Sequence, residues 1–248
     1  ADVLVQNFRP GAMKRIGLDY DTIKVRFPEL IYVSISGFGS EGPYAARRVY
    51  DPIIQAVTGF VATQKISGSE RPELIKNIVC DKATALTTAQ AITAALFARE
   101  RGNGGQHVEV AMMDAGLAFL WPDGMWNDTF TSKNVPKMPP LSDIYRVTKT
   151  KDGYVTYLVV SDSEWQGMCK ALGFESLGSD PKFRSLLDRL ANIDELVSFL
   201  ETEIGKWNTT EICNELEKQE VPFARINALN EVANDPQIVH RKSLIKVK

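Results

Sequence analysis

Two short apolar runs constrain this chain more than any other feature of it. Residues 3–5 (VLV) and 30–36 (LIYVSIS) are continuous hydrophobic stretches bounded by polar residues or glycine, the pattern of strands buried on both faces of a parallel sheet. Between them, residues 12–27 (AMKRIGLDYDTIKVRF) carry helical spacing, and strand, helix and strand in that order make a βαβ unit. The fold class expected is therefore α/β, a Rossmann-like parallel sheet with flanking helices, joined farther along by a smaller α+β domain. The stretch SGFGSEGPYAARR (36–48) is dense in Gly and Pro and leaves the carboxyl end of the second strand. Loops in that position are where open α/β sheets bind ligands.

Residues 51–62 read as a helix and residues 82–99 as a longer one, rich in Ala and Thr. Small side chains allow close packing on a sheet, so the longer helix is expected in the interior. QHVEVAM (106–112) reads as another strand, followed by a helix that should stop at Pro122. Three prolines within residues 132–143 mark a linker. This divides the chain into a large α/β domain over 1–131, the linker 132–143, and a smaller α+β domain over 144–248. In the smaller domain Asp152-Gly153 is a hairpin turn signal, and Ser161 with Glu164 and Asn208 with Glu211 have the spacing of capping boxes.

The charged residues are of mixed sign and sum to −2, with no run of Lys and Arg to track a phosphate backbone, so no nucleic-acid partner is expected. No apolar stretch reaches the roughly 18 residues that span a bilayer, and the N-terminus lacks a signal-peptide pattern. A cytoplasmic protein without a membrane partner is the expectation. Cys80, Cys169 and Cys213 form no CxxC pair, and His107 and His240 stand far apart; neither a disulfide framework, nor a zinc site, nor a Ser-His-acid triad is indicated. We expect reduced, buried thiols and no metal. His107 lies in an alternating strand and reads as structural.

Asp81 stands where a short apolar approach (NIVC) meets the long Ala/Thr helix. One reading makes it an N-cap, accepting hydrogen bonds from the first free backbone N–H groups. A compatible one makes it a nucleophile, since a carboxylate at a helix N-terminus is stabilised as the anion and aimed by the backbone. QNFRPGAMKR places Asn7, Phe8, Arg9 and Arg15 around a Pro-Gly turn after the first strand. They are either solvated loop residues or contacts to phosphate and adenine, Arg forking onto phosphate oxygens and the aromatic stacking on a base. ARRVYD supplies Arg48, Tyr50 and Asp51 before the next helix, where Asp51 also reads as a cap. The glycines of SGFGSEG match neither GxGxxG nor a P-loop.

Taken in order, ADVLVQNFRPGAMKRIGLDY, LIYVSISGFGSEGPYAARRVYD, NIVCDKATAL and ARERGNGGQHVEVAMMDA resemble the family III CoA-transferases, the CaiB/BaiF family, and DGYVTYLVVSDSEWQGMCKALG and DPKFRS resemble that family's smaller domain. The resemblance implies transfer of CoA from an acyl-CoA donor to a carboxylic acid, through aspartyl anhydride and aspartyl-CoA thioester intermediates. Coenzyme A would be part of the substrate, and no metal or redox cofactor would be needed. The family's nucleophilic aspartate matches Asp81, thirty positions after Asp51, rather than the more conspicuous Asp114. Tyr50 and Asp51 match residues beside it; Asn7, Phe8, Arg9, Arg15 and Arg48 match CoA-contacting positions, and Met112 a position near the pantetheine. The α-methylacyl-CoA racemases share the fold but carry His where Tyr50 stands, so an isomerase is the alternative that Tyr50 disfavours; a non-catalytic fragment of the same fold is another. The chain is expected to be the central portion of the usual family chain and, as in that family, to form an interlocked homodimer.

Overall fold

The computed structural model describes residues 1–64, 71–132 and 134–247. The chain falls into two compact units, Ala1–Ser142 and Asp143–Lys248. The expected linker 132–143 includes Lys133, which lies outside the described residues.

In the first unit β1 (Val3–Gln6), β2 (Ile31–Ser36) and β3 (His107–Ala111) form a wholly parallel sheet in that spatial order. β2 is central, and Ile31, Tyr32 and Val33 are buried in a row, as a strand covered on both faces requires. Alternation decides what covers each face. Ile31 and Val33 pack with Ala95, Ile92 and Leu96 of a long helix. On the opposite face Tyr32 meets Tyr20 and His107, with ring centroids 5.8 and 5.4 Å away, and its hydroxyl donates to the Leu18 carbonyl at 2.7 Å. The mixed α/β fold expected from the two apolar runs is present.

The single helix expected over 12–27 is two short ones, α1 (Ala12–Arg15) and α2 (Tyr20–Arg26). Gly17 interrupts them with φ +70°, and Asp19 starts the second by accepting from the Thr22 backbone N–H. The helix expected over 51–62 is likewise divided into α3 (Asp51–Thr58) and α4 (Phe60–Thr63), with Gly59 between them at φ +98°. The long helix α5 spans Val79–Ala98 and begins three residues before the expected Lys82. It is not interior all round: Cys80, Ala83, Thr84, Thr88 and Ala95 are buried, while Leu86 and Phe97 are exposed. Its small residues form one buried stripe rather than a fully enclosed cylinder. α6 (Met112–Gly124) runs past Pro122 instead of stopping there. The proline lies in the last turn, where a lost N–H and a crowded i−4 carbonyl disturb little following helix.

The short helix α7 (Leu141–Ile144) spans the boundary at Ser142, and the second unit then contains an antiparallel sheet of β4 (Thr148–Lys149), β5 (Tyr154–Tyr157) and β6 (Phe223–Arg225) in that order. Helices α8 (Asp162–Leu172), α9 (Leu186–Ala191), α10 (Ile193–Ile204), α11 (Thr209–Lys218) and α12 (Pro236–His240) complete it. Trp165, Met168, Leu200, Ile204, Ile212 and Leu216 form its core. Both expected capping boxes are formed, by Ser161 with Glu164 on α8 and by Asn208 with Glu211 on α11.

Candidate active site

Because β1, β2 and β3 are parallel, the segments that leave their carboxyl ends share one edge of the sheet. Asn7, Phe8 and Arg9 follow β1, the loop to Arg48 follows β2, and Met112 follows β3 as the first residue of α6. Two close approaches bring the later segments back to this edge. A Cβ added at Gly37 would fall inside the Val49 side chain, so the loop can fold back over the end of β2 only because residue 37 has no side chain. The Met113 N–H donates to the Gly37 carbonyl at 3.0 Å, fixing the start of α6 at the same point.

Asp51 is the first residue of α3 and is 3% exposed. Its carboxylate is shared between two donors: Oδ1 accepts from Gln55 Nε2 at 2.5 Å, and Oδ2 accepts from the backbone N–H of Asp81 at 3.0 Å. The N-cap reading of Asp81 is therefore corrected. Asp81 lies within the first turn of α5, after Val79 and Cys80; the capping residue Ile78 has no side-chain hydrogen bond, and the carboxylate that satisfies a free N–H of that turn comes from Asp51, thirty positions earlier. Asp51 thus stands at the N-termini of two helices at once, where the partial positive charge of unpaired N–H groups favours an anion.

The Asp81 side chain is left exposed and unused by the cap. Partial burial and, after it, the charge of Asp51 raise its pKa above the ordinary carboxylate value. A more basic carboxylate is, as the anion, a better nucleophile and a poorer leaving group than an ordinary aspartate. Beneath the pair, Cys80 is fully buried with Phe38, Ile54, Phe60 and Leu120, and Met112 packs at the margin of that cluster. Burial, reinforced by Asp51 and Asp81, pushes the Cys80 thiol up to about 12. It packs as an apolar side chain.

Tyr50 immediately precedes Asp51 and is 79% exposed. Arg9, Arg15 and Arg48 form no ion pair among the described residues, so this edge carries uncommitted positive charge. Arg47 instead lies over the Tyr44 ring at 3.7 Å. Phe8 is 62% exposed, and its backbone N–H donates to Gln6 Oε1 at 2.9 Å. Asp114 lies in the first turn of α6 and is exposed. His107 is structural: its Nε2 is 2.9 Å from Ser34 Oγ and its ring stacks on Tyr20. A shallow cleft of about 470 Å³ lined by Trp126, Phe130, Val135 and Met138 follows α6, and none of these site residues line it.

A match to the family described as CoA-transferase family III extends over residues 1–248. The chain belongs to that family. Similar relatives include a succinate–glutarate CoA-transferase of Agrobacterium fabrum, 32% identical over 97% of this chain and 60% of the relative. An acetyl-CoA:oxalate CoA-transferase of Acetobacter aceti is 33% identical over 99% of this chain and 64% of the relative. Among solved structures, a CaiB/BaiF family protein from Brucella suis superimposes with a TM-score of 0.79 at 32% identity, covering 97% of this chain and 64% of that one. The chain thus spans about six-tenths of the length of the relatives it matches. Within this family III chain, sequence reasoning missed two glutamines, Gln55 and Gln6. Gln55 lies four positions after Asp51, one helical turn, and that spacing was the available signal. Gln6 donates to Ser34 Oγ at 2.9 Å and holds the Phe8 N–H; nothing local in the sequence distinguishes it.

Proposed function

We propose that the intact protein is a CoA-transferase that moves CoA from an acyl-CoA donor to a carboxylic acid, with Asp81 as the nucleophile. The observation that carries this reading is the Asp51–Asp81 pair, in which one buried carboxylate holds the helix start while the other, made more basic, faces solvent. The names of the family III relatives agree with it.

In this mechanism an Asp81 carboxylate oxygen attacks the thioester carbonyl. The C–S bond breaks, leaving a mixed aspartyl–acyl anhydride and CoA thiolate. The thiolate attacks the aspartyl carbonyl, the anhydride C–O bond breaks, and the donor acid departs as its carboxylate, leaving an aspartyl-CoA thioester. The acceptor carboxylate attacks that thioester and expels the thiolate, which then takes the acceptor acyl group and frees Asp81. No net proton or electron is exchanged, so no metal or redox cofactor is required, and coenzyme A is carried as part of the substrate. Splitting one exchange into activated intermediates is the benefit of covalent catalysis. Arg9, Arg15 and Arg48 would bind the phosphates, Phe8 would stack on the adenine with Asn7 beside it, and Met112 would border the pantetheine. Tyr50 and Asp51 would flank the reacting carboxylate.

The acceptors to test first are dicarboxylates, because similar relatives are named for succinate, glutarate and oxalate. A cytoplasmic homodimer is the form we propose for the working enzyme, with light scattering as its check. Mass spectrometry after treatment with acyl-CoA and hydroxylamine should find the adduct on Asp81. Full transferase activity in Asp81→Ala would end this reading, and deuterium exchange at the acyl α-carbon without CoA transfer would indicate the racemase chemistry instead.

A further inference from the structure

Gln55 is 1% exposed on α3, and its amide has four polar partners within hydrogen-bond distance. Nε2 donates to Asp51 Oδ1 at 2.5 Å and also faces the carbonyls of Asn77 at 3.0 Å and Ile75 at 3.3 Å. Oε1 accepts from the Ile75 N–H at 3.0 Å. One amide therefore grips both the Asp51 carboxylate and the segment that leads directly into α5. That segment has no regular structure of its own, so its position relative to α3 depends on such ties. Asp51 in turn holds the Asp81 N–H. The line of bonds runs from Gln55 to Asp51 to the backbone of Asp81, and a parallel line runs from Gln55 through residues 75–77 to the first turn of the same helix.

We propose that Gln55 is a positioning residue for the acyl-transfer step: it fixes the rotamer of Asp51 and the entry of the chain into α5, and so sets where the Asp81 carboxylate stands. This rests on the reading of Asp81 as nucleophile. Gln55 is buried and touches no substrate atom in this scheme, so its effect reaches the reaction only through Asp51 and the helix start. Misplacing a nucleophile by a fraction of an ångström affects the rate of attack far more than the binding of the rest of the substrate.

The test is single-turnover acylation of the full-length enzyme by acyl-CoA, comparing wild type with Gln55→Met, which keeps the volume and removes all of these polar contacts, and Gln55→Glu, which keeps the acceptor for the Ile75 N–H and removes the donor to Asp51. Both variants should lower the acylation rate by about 10- to 100-fold, the equivalent of one charge-assisted hydrogen bond, with KM for acyl-CoA changed by less than about 3-fold. In an Asp51→Asn background the further loss from Gln55→Met should shrink to less than about 3-fold, because the residues act in series. A raised KM at unchanged rate, full additivity with Asp51→Asn, or failure of both variants to fold would overturn the proposal. Activity retained in Asp81→Ala would remove the underlying mechanism instead, and that control separates the two failures.

Discussion

Asp51→Asn is a demanding test of the site geometry, because a single atom changes from acceptor to donor. Both carboxylate oxygens of Asp51 accept, one from Gln55 and one from the Asp81 N–H. In the variant one of them becomes an NH2 group that faces a donor whichever way the new amide is turned. Gln55 cannot flip to relieve the conflict, since its Oε1 is held by the Ile75 N–H and its Nε2 faces two carbonyls. The variant loses one hydrogen bond and buries an unsatisfied donor, a cost of about 1–3 kcal/mol, and the surviving bond loses its charge assistance, about 1 kcal/mol more. One effect opposes this: removing the Asp51 charge relieves its repulsion with Asp81. The Asp81 side chain is exposed, so solvent screens that repulsion and the relief stays below about 1 kcal/mol. The net expectation is a loss of about 1–4 kcal/mol, or about 3–12 °C in Tm for a chain of this size. Calorimetry and urea titration at neutral pH measure it. A variant within about 0.5 kcal/mol of wild type, or more stable, would refute the claim that Asp51 accepts from both groups.

Three further outcomes follow from the structure. The acylation rate should rise with pH as Asp81 ionises, with a midpoint above the ordinary carboxylate value, and Asp51→Asn should move that midpoint down because a like charge is removed; pre-steady-state acylation across an acidic pH series reads it, and an upward or absent shift would contradict the assignment. Gly105→Ala should cost about 1–3 kcal/mol in urea unfolding, since a Cβ there would lie 2.5 Å from the carbonyl oxygens of both Leu30 and Pro28 at the start of the central strand. Cys80 and Cys169, buried and with thiols raised to about 12, should resist a thiol reagent at neutral pH in the folded protein. Cys213, only partly buried, should react before them, and rapid native-state labelling of Cys80 would place it wrongly.

What the sequence determined by itself was whatever depends on near neighbours along the chain. The run LIYVSIS specified a buried central strand, because continuous apolar residues on a strand are covered on both faces. The run VLV specified a parallel strand too, but at the sheet edge, where no residue of it is buried and Val5 is exposed, so the expectation of burial on both faces is corrected there. Ser161 with Glu164 and Asn208 with Glu211 specified helix starts, because a capping box closes within one turn. Ordered motifs pointed to the family, and to Asp81 as the residue to watch. The breaks at Gly17 and Gly59 were locally encoded too, but a helical pattern of apolar residues continues through a glycine and hides the interruption.

Only the tertiary structure decided how Asp81 is held. An acid before an Ala-rich stretch reads as its cap, whereas the first turn of α5 starts earlier and takes its capping carboxylate from Asp51. Gln55 became visible only when residues 75–77 were seen packed against α3, and Gln6 only when β1 and β2 were set in register. The physical reason is the same in each case. A hydrogen bond between residues twenty or thirty positions apart leaves no periodicity in the chain; it exists because packing α3, α5 and the sheet buries polar groups that must then find one another.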